Sequence, residues 1–160
     1  MRFRSERSDR HYAGAIYGTL LVMALLAVEA DDDPPGQVAV AVGATMLAFW
    51  LAHVYAHSLG VRLRSGEPLS WTNLRIEMAN EWPLVQAAGP AVAALLLAAA
   101  GLFDTGTAIV IGLVLGMVEL FAWGVLLGRR QGLGRGRAIL VGVIDCSFGL
   151  VIVLIEVLVH

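Results

Sequence analysis

Residues 106–128 read GTAIVIGLVLGMVELFAWGVLLG, an apolar run with a single ionisable side chain, that of Glu119. A helix needs about 20 apolar residues to cross the hydrocarbon core of a bilayer, so this run predicts a membrane-spanning helix. Four further runs of similar composition lie near 13–30, 38–59, 83–103 and 138–159. None of them alternates apolar and polar residues as the strands of a membrane barrel do. The sequence therefore predicts an all-α integral membrane protein, a bundle of five transmembrane helices in one domain over 1–160.

The amino-acid composition of the whole chain also indicates an integral membrane protein. Hydrophobic residues make up 58% of the 160 residues and charged residues 15%, whereas soluble domains carry about 25% charged residues. These values exclude a soluble enzyme, a disordered chain and a nucleic-acid binder. The single cysteine, Cys146, excludes an intrachain disulfide and dithiol redox chemistry.

The distribution of charge predicts the orientation in the membrane. All the basic residues precede the first span, separate the second from the third, or separate the fourth from the fifth, while the other loops carry Asp31, Asp32, Asp33 and Asp104. The basic residues are Arg2, Arg4, Arg7, Arg10, Arg62, Arg64, Arg75, Arg129, Arg130, Arg135 and Arg137. The positive-inside rule places them in the cytoplasm, which predicts a multi-pass protein of the bacterial inner (plasma) membrane. The N-terminus is expected in the cytoplasm and the C-terminus outside. The first span, ending at 28–30, also fits a cleavable signal peptide, although its apolar run is longer than usual.

One cytoplasmic loop contains a short amphipathic pattern near 70–82. Trp71, Leu74, Met78 and Trp82 recur at helical spacing, and the other side is polar, with Asn73, Arg75, Glu77, Asn80 and Glu81. This pattern predicts a helix lying in the cytoplasmic interface and anchored by its tryptophans. Such a helix serves either as a plain connector or as a gate or docking surface for a membrane-protein partner.

Small residues recur four positions apart along the predicted spans, and such faces let helices approach closely in lipid. The glycines concerned are Gly14, Gly18, Gly112, Gly116, Gly142 and Gly149. They predict close packing within the chain or between the subunits of a homo-oligomer, and the oligomer is the favoured interpretation. Gly89 and Pro90 predict a kink in the third span.

Ionisable side chains within the spans are expensive and call for an explanation. His53 and His57 lie four residues apart in the second span, Glu119 lies in the fourth and Asp145 in the fifth. Counting 1.5 Å per residue from the span ends predicts that His53, Glu119 and Asp145 lie at one depth, roughly 10–14 Å above the cytoplasmic boundary. His57 is expected about one turn closer to the cytoplasm. Trp50, Gln86 and Glu156 are the predicted supporting residues.

A layer of imidazoles and carboxylates suits two kinds of chemistry. It can relay protons, or it can bind a divalent metal such as zinc, iron or manganese. The first hypothesis is therefore a channel or transporter for a small cation, with no cofactor beyond the transported ion. The same residues also fit a purely structural layer in a non-catalytic accessory or scaffold subunit. A metal-dependent membrane enzyme is a third hypothesis, less favoured than the other two.

Overall fold

A computed structural model describes the backbone of residues 2–29, 32–65 and 70–159, and the side chains of 12–29, 32–63, 70–155, 158 and 159. Within these ranges the chain forms helices and no strand. The helices are α1 (Arg2–Ala27), α2 (Pro35–Ser65), α3 (Trp71–Gln86), α4 (Gly89–Ala99), α5 (Thr105–Arg130) and α6 (Arg135–Val159).

The lengths and apolar composition of these helices support the prediction of a helical membrane protein. Three of them, α2, α5 and α6, are long and apolar enough to cross a bilayer. A fourth candidate span consists of α3 and α4 together, which meet at an angle of 52°. The apolar part of α1, Tyr12–Ala27, is shorter. An all-helical protein with three or four candidate spans is thus confirmed for the described residues, while the fifth span and the orientation stay predictions.

The third predicted span is broken between α3 and α4. Pro90 has no N–H to donate to the carbonyl of Gln86, and its ring crowds that carbonyl. The kink predicted at Gly89 and Pro90 is therefore confirmed. The break between the two helices lies at 87–88, and α3 continues through Pro83.

Two contacts, one at each end of the bundle, show how α1 and α5 run relative to each other. At one end, Thr105 Oγ1 donates a hydrogen bond of 2.8 Å to the carbonyl oxygen of Asp33, which joins the α1–α2 connection to the start of α5. At the other end, the ring of Tyr12 near the start of the apolar part of α1 packs 5.4 Å from that of Trp123 in α5. The two helices are therefore antiparallel. We call these the aspartate end, around Asp33, and the arginine end, around Tyr12 and Arg130.

The tightly packed core lies toward the aspartate end. It is built from α1, α2, α4 and α5, together with Leu84 of α3, and its most deeply buried members include Leu26, Val42, Met46, Leu95 and Ala108. Two cavities of about 270 and 620 Å³ lie in the arginine half of the bundle. Space for a ligand or an ion is therefore found in the arginine half.

The glycines predicted for helix packing contact other helices of the same chain. Gly14 and Gly18 face α3, Gly112 and Gly116 face α1, Gly142 faces α5, and Gly149 faces both α5 and α1. At Gly18 a methyl group would lie 2.6 Å from the carbonyl oxygen of Leu84, so only glycine allows this approach. These faces serve the fold of one subunit. The homo-oligomer stays a prediction, and the glycine faces no longer support it.

Candidate functional site

Two of the three ionisable side chains that sequence analysis places at one depth, His53 and Glu119, are separated by α1. The ring of His53 lies 5.3 Å from that of Tyr17, whereas Glu119 Oε2 accepts a hydrogen bond of 3.1 Å from Thr19 Oγ1. Tyr17 and Thr19 are two positions apart on α1, which places them about 200° apart around the helix axis. The structure therefore positions His53 and Glu119 on opposite sides of α1.

Asp145 occupies a third position, where α5 and α6 pack closely. A methyl group on Gly124 would lie 2.5 Å from Asp145 Oδ2 and 2.7 Å from the Cα of Gly142. Asp145 Oδ2 is buried and has no hydrogen-bond partner. The neighbouring Cys146 donates its thiol hydrogen to the carbonyl oxygen of Met117 at 3.1 Å. Asp145 thus belongs to the α5–α6 interface and not to the surroundings of the two histidines.

The predicted layer of four residues therefore divides into three places. Among the side chains that the structure describes, no three His, Cys, Asp or Glu residues are close enough to hold a metal ion together. The divalent-metal and metalloenzyme hypotheses thus gain no support from the described residues. The sequence gives depth along a helix but not the direction in which each side chain leaves that helix.

A residue outside the predicted set completes the site around the histidines. Glu81, on α3, places Oε1 3.1 Å from Nδ1 of His57, within ion-pair distance although not aligned as a hydrogen bond. The Glu81 side chain is 8% exposed and that of His57 is 41% exposed. Sequence analysis assigns Glu81 and Asn80 to the polar side of an interfacial helix, yet both are buried. The reason is that α3 packs this side against the rest of the bundle.

The two histidines and Glu81 line one cavity of about 270 Å³. Tyr17 lines it as well, and the remaining walls are small or apolar side chains of α1 and α3. His53 Nδ1 lies 2.9 Å from the carbonyl oxygen of Phe49. A carbonyl oxygen only accepts, so Nδ1 carries a hydrogen, and Nε2 is the nitrogen of neutral His53 that can take up a further proton. We call this arrangement the histidine cavity.

The structure describes the side chains of two of the three predicted supporting residues, Trp50 and Gln86. Trp50 Nε1 donates to the carbonyl oxygen of Met78 at 3.1 Å, and its ring meets that of Trp82 edge-on with centroids 5.5 Å apart. Trp50 thus fixes α3 against α2 and is not among the residues that line the histidine cavity. Gln86 is exposed at the end of α3. The side chain of Glu156 lies outside the described residues.

Two sequence features could have indicated Glu81. The apolar residue Leu84 follows it by three positions, so the two share a helix face. Gly14 and Gly18 form a small face on α1, and that face accommodates Pro83 and Leu84 of α3. Continuing the short helix through Pro83 would have turned Glu81 toward the bundle.

Comparisons of the chain with protein-family models, with curated proteins and with solved structures give no match. The function is therefore inferred from the side chains themselves.

The histidine cavity can bind and release a proton. A buried carboxylate is costly unless it is protonated or paired with a cation, and His57 supplies that cation when it is protonated. Imidazole is the side chain that most readily exchanges its proton near physiological pH. An ion pair between protonated His57 and Glu81, with His53 one helical turn away, is the simplest chemistry that this geometry supports.

Proposed function

We propose that the protein moves a small cation, the proton, across a membrane as a channel or transporter, and that the histidine cavity is where the proton binds. The observation that supports this proposal is the placement of His53, His57 and Glu81 around one cavity inside a bundle of apolar helices. In lipid-embedded bundles, ionisable residues that face a cavity mark ion pathways.

The proposed setting is a bundle of five spans in a bacterial inner membrane. In this arrangement α1 is the fifth span, added to α2, the α3–α4 pair, α5 and α6. The arginine end faces the cytoplasm by the positive-inside rule. The histidine cavity then lies on the cytoplasmic side of the tightly packed core. Protons from the cytoplasm reach it without crossing that core.

Glu119 and Asp145 are the further ionisable groups that a crossing proton would use. Glu119 lies on the opposite side of α1 and accepts a hydrogen bond from Thr19. Asp145 lies at the α5–α6 interface with one buried oxygen that has no hydrogen-bond partner. Each is a carboxyl group and can therefore hold a proton in its neutral form.

Proton flux tests the proposal directly. The full chain is reconstituted into liposomes that enclose a pH-sensitive dye, and a potassium diffusion potential drives protons inward. We expect the wild-type chain to acidify the lumen well above the rate of protein-free liposomes. Glu81→Gln keeps the size of the side chain but removes its charge, so we expect it to slow the flux by about tenfold or more, which corresponds to at least about 1.4 kcal/mol on the barrier.

A matched variant controls for the chemistry of the change. Glu29→Gln makes the same substitution at the aspartate end, beyond the last helical residue of α1, and is expected to leave the flux unchanged. Equal rates for wild-type and Glu81→Gln liposomes would remove the histidine cavity from the proposal. A wild-type rate equal to that of empty liposomes would remove proton passage itself.

A different observation favours a second candidate function, that of a non-catalytic accessory subunit. Trp71 at the start of α3 is 68% exposed, and it lines a groove of about 330 Å³ together with Arg75 and Ile76 on the outer side of the same helix. Tryptophan is enriched among the residues that supply most of the binding energy in contacts between proteins. The partner in this case is another membrane protein held through α3.

The two candidates make opposite predictions for one pair of measurements. If the chain is an accessory subunit, the purified protein carries no proton flux, and Trp71→Ala releases a partner that co-purifies in mild detergent. Trp82 packs on Trp50 within the chain, so a change there tests the fold of α3 and not the outer groove. If proton passage is the function, Trp71→Ala leaves the flux of the purified chain unchanged.

A further inference from the structure

A second cavity, of about 620 Å³, opens at the arginine end between the first half of the apolar part of α1 and the end of α5. Ile16, Leu20 and Leu127 give it apolar walls, whereas Tyr12, Arg130 and Gln131 place polar groups along it. Its volume falls in the range of roughly 300–1,000 Å³ that is typical of small-molecule sites. We call it the α1–α5 groove.

The position of the cationic group in the groove is fixed by packing. The guanidinium carbon of Arg130 lies 4.8 Å from the centroid of the Tyr12 ring. Tyr12 is 8% exposed, and its ring packs against Trp123 at an interplanar angle of 67°. A guanidinium stacked on a buried aromatic ring is held in place more firmly than one on a free side chain. The groove therefore combines a positioned positive charge with an apolar wall along the bundle.

We propose that the α1–α5 groove binds an anionic phospholipid, with its phosphate at Arg130 and an acyl chain along Ile16, Leu20 and Leu127. Charge complementarity supports this occupant, because arginine presents several donors to a phosphate in a planar array. Basic pockets between membrane helices on the cytoplasmic side commonly bind anionic headgroups. The apolar wall distinguishes a lipid from free phosphate, which has no acyl chain to place there. The inference does not depend on proton passage.

Lipid selectivity tests the proposal. The delipidated full chain is equilibrated with mixed micelles that contain equal amounts of phosphatidylglycerol and phosphatidylcholine, and the lipids that remain bound are counted by native mass spectrometry. We expect the wild-type chain to retain phosphatidylglycerol in about fivefold excess, the effect of one well-placed arginine near a phosphate. Arg130→Gln is expected to bring the ratio close to one.

Two matched pairs of variants locate the effect in the groove. Arg129→Gln removes the same charge from the neighbouring position, which does not line the groove, and is expected to keep the preference. Leu127→Trp fills the groove and is expected to reduce retention of both lipids, whereas Leu126→Trp changes an exposed neighbour outside it and is expected to have no effect.

Three results would overturn the proposal. One is a wild-type chain that retains the two lipids equally. Another is a loss of preference in Arg129→Gln as large as in Arg130→Gln, because it would assign the selectivity to the general charge of the arginine end. The third is displacement of phosphatidylglycerol by excess inorganic phosphate, because it would show that the headgroup charge alone accounts for binding.

Discussion

The contact between α5 and α6 predicts that Gly124→Ala destabilises the protein. A methyl group at this position would lie 2.7 Å from the Cα and 2.9 Å from the N of Gly142, and 2.5 Å from Asp145 Oδ2. Two of these three atoms belong to the backbone of α6, so no side-chain rotation relieves the overlap. The helices must separate by about 1 Å, and overpacking of this kind costs about 1–3 kcal/mol. For a chain of this length, that cost lowers the unfolding temperature by roughly 2–9 °C.

The single cysteine provides the assay. Cys146 lies on α6 with its thiol donating to the carbonyl of Met117 on α5, so separation of the two helices exposes it. Heating the detergent-solubilised protein with a thiol-reactive fluorophore follows that separation. Gly43→Ala is the matched control, because a methyl group at Gly43 meets nothing within 4 Å, and alanine stabilises a helix by about 1 kcal/mol relative to glycine. Both variants gain the same helix propensity, so the overlap at Gly124 is measured by the difference between them. Equal unfolding temperatures for Gly124→Ala and Gly43→Ala would refute the close α5–α6 contact.

Two further predictions concern α3 and α5. Trp50→Phe removes the hydrogen bond from Nε1 to the carbonyl of Met78 and is expected to cost about 1 kcal/mol, measured as earlier thermal unfolding; an unchanged midpoint would contradict this role of Trp50. Asp104 begins α5, and the backbone N–H and then the hydroxyl of Thr107 hold the pKa of its carboxyl below the ordinary value of 3.8. Its contribution to stability is therefore complete above that ordinary value and is lost as the pH falls through the lowered pKa. Asp104→Asn keeps a capping side chain without the charge, so the unfolding temperature of the variant should fall less than that of wild type on acidification below pH 3.8. Parallel curves for the two proteins would rule out this contribution.

Helical periodicity and composition predict much of the fold, because apolar length and helix breakers act locally. The run over 106–128 corresponds to α5, whose ends at Thr105 and Arg130 exceed it by one and two residues. The break before Gly89 and Pro90 follows from the chemistry of proline and needs no tertiary information. The short pattern near 70–82 likewise corresponds to most of α3.

The site could be predicted only in part, because depth along a span does not give direction around it. The shared depth of His53 and Glu119 predicts that they meet, yet α1 lies between them. The sequence predicts that Glu81 is on the polar, solvated side of α3, because Trp71 and Trp82 mark an apolar stripe on the other side of the same helix. In the structure Trp71 is largely exposed, and the side of α3 that carries Glu81 and Leu84 packs into the bundle. Which side of a helix meets the bundle depends on the other helices.

The most direct test of proton binding by His57 and Glu81 together is a double-variant comparison of proton flux in liposomes. His57→Ala and Glu81→Gln are measured singly and combined, at one driving potential and one protein density. If the two side chains handle one proton as a unit, each single variant is slow and the double variant is no slower than the slower single one. Independent slowing that multiplies in the double variant, or wild-type flux in both single variants, would contradict the account.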